Sequence, residues 1–149
     1  MRSMIRRFNG KNILDIVVLG DPVAQARPKF NSWTHQAYDP AKSKWYKKQI
    51  RNEAKKICES VPYFAPEIPL VVTACIYRPI PKSLKKQEKI LAEQGEKLPV
   101  TRPDLDNYLK GILDALNKTV YKDDNQITAI HAYKFYSVNP RIEIEIKEG

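Results

Sequence analysis

The chain has 149 residues, a formal net charge of +9 and only two cysteines, Cys58 and Cys75. That length suits one domain spanning residues 1–149, able to bury about 70% of its unfolded surface. Two scattered cysteines argue against a disulfide framework or a thiolate zinc site, and read as reduced packing residues of a cytoplasmic protein. The longest early apolar run, Ile13 to Leu19, is seven residues long and carries Asp15, too short and too polar for a signal peptide core or a membrane span.

Taken in chain order, that same run, Ile13 to Leu19, reads as a strand. Asp21 to Asp39 reads as a loop in which Arg27, Lys29, Trp33, His35 and Tyr38 interleave cations with aromatics, a composition suited to phosphate contacts and base stacking. A helix follows from about Pro40 to Cys58, capped by Asp39 with proline in its first turn. Leu70 to Tyr77 is a second strand. Lys82 to Glu96, flanked by Pro79, Pro81 and Pro99, is charged with little apolar spacing and reads as a frayed helix or a mobile excursion. Leu105, Leu109, Ile112, Leu113 and Leu116 fall at helical spacing, so another helix starts close to Asp106. Ile127 to Tyr136 and Arg141 to Lys147 close the chain as strands, the last alternating Ile142, Ile144 and Ile146 with Glu143, Glu145 and Lys147. The turn between them is Ser137 to Pro140. The order β-α-β-α-β-β gives an α+β fold, a small mixed or antiparallel four-stranded sheet with its helices on one face.

Charge is unevenly divided. Residues 1–60 hold 13 Lys and Arg against 5 Asp and Glu, whereas residues 61–149 hold 13 against 12, so the basic surface belongs to the first part of the chain. Most of it lies on the Pro40–Cys58 helix. Tyr46, Ile50, Ala54 and Ile57 make its buried side, while Lys42, Lys44, Lys47, Lys48, Arg51, Lys55 and Lys56 cover much of the rest with few acids to balance them. A polyanion is the natural partner of such a face; the plainer reading is a solvated helix.

Against this background, the window from Arg102 to Asp124 collects five aspartates, with Lys110 among them. Crowded carboxylates repel one another, and a divalent cation is the simplest relief. Arg102 precedes proline and is pushed toward extended geometry, so Asp104 and Asp106 sit at a loop-to-helix junction. Lys110 and Asp114 follow Asp106 at steps of four and form a polar edge beside the apolar stripe. Asp123 and Asp124 come after the short connection Asn117–Lys122, which can return a carboxylate to the same place. Each aspartate has an ordinary explanation: Asp104 or Asp106 as a helix cap, Asp106 with Lys110 as an i, i+4 pair, Asp123-Asp124-Asn125 as turn chemistry. Together these account for only part of the constellation.

The pattern PDLDN, then Lys110, then Asp114-Ala115-Leu116, then Asp123-Asp124 followed by Asn125-Gln126-Ile127, resembles the RusA family of endodeoxyribonucleases that resolve Holliday junctions. Pro22, Arg27-Pro28, Tyr38-Asp39-Pro40, the basic helix and the closing strand pair occur in similar order. The resemblance implies that Asp104, Asp106 and Asp124 bind magnesium (or manganese) and that Lys110 assists, with Asp123 the alternative to Asp124. It implies paired symmetric nicks in a four-way junction, in DNA recombination and repair. A chain with one acidic centre needs a C2 homodimer to make two such nicks. Arg27, Lys29, Lys44, Lys47, Lys48, Arg51 and Arg102 are the expected DNA contacts, and no membrane partner is expected.

Carboxylates without histidine or cysteine suit magnesium or manganese rather than zinc. Two other readings compete. One is a nucleic-acid-binding protein without catalysis, its aspartates serving as caps and turns; the other is a magnesium-dependent enzyme acting on nucleotides or sugar nucleotides, weakened by the absence of a glycine-rich phosphate cradle.

Overall fold

The structure is a computed structural model and describes residues 1–149. Seven strands and three helices form: β1 (Met4–Phe8), β2 (Lys11–Leu19), β3 (Lys29–Asn31), β4 (Gln36–Tyr38), α1 (Ala41–Ile57), β5 (Leu70–Pro79), α2 (Lys86–Glu93), α3 (Leu105–Leu116), β6 (Ile127–Ser137) and β7 (Arg141–Glu148). A five-stranded sheet runs in the order β1-β2-β7-β5-β6, antiparallel except for the parallel β5–β6 pair. The α+β class holds, and the sheet gains a strand over the four expected.

Alternation along the strands decides which face is covered. Leu14, Ile16 and Val18 of β2, Val72, Ala74 and Ile76 of β5, and Ile142, Ile144 and Ile146 of β7 point one way and are buried. Tyr46, Ile50 and Ala54 of α1 and Tyr108, Ile112, Ala115 and Leu116 of α3 meet them in one cluster of 20 buried residues. Each fully buried Ile or Leu stabilises by roughly 1.5–3 kcal/mol, whereas exposed ion pairs contribute about 0–1 kcal/mol, so this layer holds the fold. Both cysteines are free, and burial pushes the Cys58 thiol up to about 11.

The extra edge strand β1 comes from the basic amino-terminal segment. Asn9 and Gly10, at φ 52° and 75°, form the two-residue turn that joins it to β2, and Asn-Gly is a strong hairpin signal. The Asp21–Asp39 loop contains a second hairpin, β3–β4. Asp39 does not cap α1: the N-cap is Pro40, without a side-chain bond, and the Asp39 carboxylate instead meets Lys47 Nζ at 2.6 Å and Gln25 Nε2 at 2.8 Å. The 82–96 segment is tied down at its end. Ala92 is fully buried and the Glu93 carboxylate accepts from the Val138 N–H at 2.6 Å, which fastens α2 to the β6–β7 turn.

Candidate active site

Helix α3 starts directly after Asp104, which sits at its N-cap in extended geometry, ψ 149°. The approach is pinned from β5 and β6: Lys134 Nζ donates to the Thr101 and Pro103 carbonyls at 3.0 and 3.1 Å, and Arg78 Nη1 donates to the Thr101 carbonyl at 3.1 Å. Arg102, between them, is exposed. The first turn of α3 is held from the other side by the Gln25 N–H, which donates to the Asn107 carbonyl at 3.0 Å. Gly111, one turn on, lies against Gln25; a Cβ there would stand 3.5 Å from the Gln25 Cβ, ordinary contact and nothing to spare.

Asp106 keeps its place in the first turn of α3, but two other ordinary explanations for the α3 acids fail in this geometry. Asp104 makes no capping hydrogen bond although it occupies the capping position. Asp106 and Lys110 form no ion pair, and none of the molecule's ion pairs includes Asp104, Asp106, Asp114, Asp123, Asp124 or Lys110. In a protein with nine excess positive charges, five aspartates therefore stand outside every ion pair.

At the far end of α3 the chain turns back through a tightly bonded link. Tyr63 and Phe64 donate their N–H groups to the Thr119 and Val120 carbonyls at 3.1 and 2.9 Å, and the buried Tyr121 hydroxyl donates to the Leu113 carbonyl at 2.7 Å. This delivers Asp123 and Asp124 to Asp114. Asp124 is held above the ordinary carboxylate range, first by burial, then by sharing a hydrogen bond with Asp123, then by the charges of Asp123 and Asp114. Asp123 is pushed the opposite way, chiefly by the Asn125 N–H that its carboxylate accepts at 2.9 Å and then by Asp124. Asp123 thus does perform the turn-capping role, starting a single 3-10 turn at Asp124–Gln126.

Gln126, a member of the motif to which the sequence assigns no role, anchors that turn. It is 7% exposed; its Oε1 accepts from the Lys122 and Asp123 N–H groups at 2.9 and 3.4 Å, and its Nε2 donates to the Ala65 and Ile68 carbonyls at 2.9 and 3.2 Å. One carboxamide thereby fastens the acidic turn to the loop before β5. A glutamine beside two aspartates ahead of an apolar strand was the available signal. Asp114 is read from sequence only as part of the polar edge of α3, because only the return of the chain makes it a neighbour of Asp124.

Not all the expected residues meet. Asp106 and Asp114 are two turns apart, about 12 Å along the helix axis, and no three His, Cys, Asp or Glu side chains stand close enough to share one cation. The carboxylates form two groups along one edge of α3: Asp104 with Asp106 at the start, and Asp114 with Asp123 and Asp124 at the end. Lys110 lies between them, exposed.

Beside this edge runs the basic helix. Lys44, Lys48, Arg51 and Lys55 line a groove of about 430 Å³ with Trp45 and Asn52. Arg51 Nε donates to the Ala115 carbonyl at 3.2 Å and joins α1 to α3. Lys47 faces Asp39 and is committed within the fold, while Arg27 and Lys29 are exposed near the β3–β4 hairpin.

An acidic helix edge thus lies beside a cationic helix. The family model of endodeoxyribonuclease RusA matches residues 20–147, and the chain belongs to that family. It is 41% identical over 144 residues to the uncharacterized protein YqaN of Bacillus subtilis (strain 168), covering 91% of this chain and 96% of that one. It is also 47% identical over 49 residues to the crossover junction endodeoxyribonuclease rusA of Lactococcus phage r1t, covering 32% of this chain and 37% of the phage protein.

Proposed function

We propose that the protein is a magnesium-dependent endodeoxyribonuclease that resolves four-way DNA junctions by paired nicks, acting as a homodimer in recombination and repair in the cytoplasm. The family assignment supports junction cleavage; the observation that carries the chemistry is the set of α3-edge aspartates left without any Lys or Arg partner in a strongly basic molecule. No helix is long and apolar enough to cross a membrane.

The donor set fits a hard divalent cation, because every candidate group is a carboxylate and hard cations take oxygen ligands. Asp104, Asp106 and Asp124 would hold it, with Asp123 the alternative to Asp124. No three of these carboxylates converge, so Asp124 would have to move toward the start of α3 to complete the set. When bound, the cation supplies a water nucleophile and Lewis acidity at the scissile phosphate. Lys110, on the same helix edge, balances negative charge growing on the phosphate oxygens. Lys44, Lys48 and Arg51 orient the duplex through its backbone, with Arg102, Arg27 and Lys29 reaching phosphates nearer the junction. Such contacts position the nucleic acid without reading its sequence.

The test is cleavage of a synthetic four-way junction and of linear duplex, each with magnesium or chelator, by the native chain and by Asp104→Asn. Paired, metal-dependent nicks are expected in the junction alone, and Asp104→Asn should bind without cutting. Normal cutting by that variant removes Asp104 from the site, and metal-independent cutting removes the cation.

A further inference from the structure

The β3–β4 hairpin projects an indole into solvent. Trp33 is 92% exposed at the turn, and Phe30 and Tyr38, in the two strands that carry it, are 63% and 48% exposed. Leaving an aromatic of this size in water forgoes the burial that such side chains normally supply. The turn that carries it is well made. Asn31 Oδ1 accepts from the Trp33 and Thr34 N–H groups at 2.9 and 3.2 Å, the His35 N–H donates to the Asn31 carbonyl at 2.8 Å, and His35 takes the left-handed conformation at φ 56° that closes the reversal. Asparagine suits this role because its side chain mimics a backbone turn.

The stems of the hairpin are rooted at the site. On the incoming side the Gln25 N–H donates to the Asn107 carbonyl in the first turn of α3, and the Ala26 N–H donates to Ser43 Oγ in the first turn of α1 at 3.0 Å. On the outgoing side Asp39 bonds Gln25 Nε2 and Lys47, and the chain enters α1. Around these roots lies a groove of about 500 Å³ lined by Gln25, Lys42, Ser43, Arg78, Pro103 and Asn107 among others. Between Pro22 and Tyr38 the chain has Arg27 and Lys29 and no acid, so the hairpin is cationic at its base and carries an exposed indole at its tip. Phosphate contacts at the base with a ring beyond them is the composition of a stacking platform for unpaired bases.

We infer that Trp33 is a stacking wedge: the hairpin carries the indole from the α1–α3 site to the branch point of the DNA, where it stacks on bases that a four-way junction leaves without a continuous partner. The inference rests on the proposed junction substrate and adds how the protein tells a branch from plain duplex. Arg27 and Lys29, both on the incoming stem, hold the backbone beside it. The wedge recognises the open face of a base, which every base offers, so it selects for branching and not for sequence.

Because Trp33 is almost fully exposed, Trp33→Ala should fold as the native chain does, which a thermal melt checks directly. With chelator present to stop cleavage, the variant is expected to bind a synthetic four-way junction about 5- to 150-fold more weakly, the range for loss of one base–aromatic stack, and to bind linear duplex unchanged. Trp33→Phe should recover most of the loss. In a Trp45→Phe background the remaining indole should be quenched by the junction and by single-stranded oligonucleotide, and not by duplex.

Unchanged junction affinity in Trp33→Ala overturns the inference, as does an equal loss on junction and duplex, which would make the hairpin a general contact. Concentration-dependent self-association that disappears in Trp33→Ala while DNA binding stays intact assigns the indole to a second copy of the chain instead. If the native chain binds junction and duplex alike, the junction reading falls, and quenching of Trp33 by single-stranded DNA still decides whether the hairpin stacks on bases.

Discussion

Helices α1 and α3 touch through Arg51 and Ala115, yet they depend on tertiary structure in opposite ways. The cations of α1 are spread over an exposed face, and each can meet a phosphate independently of the next. The carboxylate of Asp114 on α3 meets Asp123 and Asp124 only through a link, a turn and a buried glutamine. A charged surface tolerates error in placement, and a carboxylate cluster does not.

Three experiments sharpen that contrast. The largest effect belongs to the acidic edge: Asp124→Asn should lower junction cleavage by more than the roughly 10–100-fold typical of residues that merely support a metal ligand, with junction binding in chelator retained. Single-turnover cleavage and a binding titration separate the two, and a variant that loses binding as much as cleavage erases the distinction between the helices.

A graded effect belongs to the basic face. Replacing Lys44, Lys48 and Lys55 by Ala should weaken binding to junction and duplex alike, and should flatten the dependence of log affinity on log salt by roughly 0.9 per lost phosphate contact. Titrations at several salt concentrations measure the slope, and an unchanged slope with weaker binding would show that these lysines act through structure and not through phosphates.

The smallest effect is on stability without metal. Asp124 binds its proton more tightly in the folded chain than the ordinary carboxylate value of 3.8 allows, chiefly because of burial and the Asp123 contact. As pH rises from below that ordinary value through the raised folded value, ionising Asp124 destabilises the fold. Asp124→Asn should therefore melt higher than the native chain near neutral pH, with the gap closing as pH falls below the carboxylate range. Asp123 works the other way: its carboxylate is depressed mainly by the Asn125 N–H, and that contribution, present above its unfolded value, survives in the variant. A gap that widens on acidification would contradict the crowding of Asp124.

Much of the layout is legible in the order of the residues. Strict alternation in Arg141–Lys147 identifies β7 and its buried face, and the helical spacing from Leu105 to Leu116 places the start of α3 beside Asp104. Two elements escape such a reading for different reasons. The amino-terminal strand is hidden by its arginines, which an edge strand exposes freely, although Asn9-Gly10 announces the turn. The β3–β4 hairpin has strands of only three residues, too short for a two-residue period to emerge. Asp39 misleads because its position before Pro40 suits a cap, and the competing Lys47 ammonium is eight residues away in sequence.

Chain order and residue chemistry alone determined the class of fold, the cationic helix and the cluster of acids, because periodicity, charge and local turn chemistry are properties of neighbours along the chain. Tertiary structure decided which acids are neighbours in space: it set Asp114 beside Asp123 and Asp124, left Asp104 and Asp106 at the other end of α3, and put Gln126 beneath the turn. It also rooted the Trp33 hairpin between the two helices. Those placements depend on how the 117–122 link and the 62–69 loop pack on each other, and packing between segments distant in sequence leaves no periodic trace in either one.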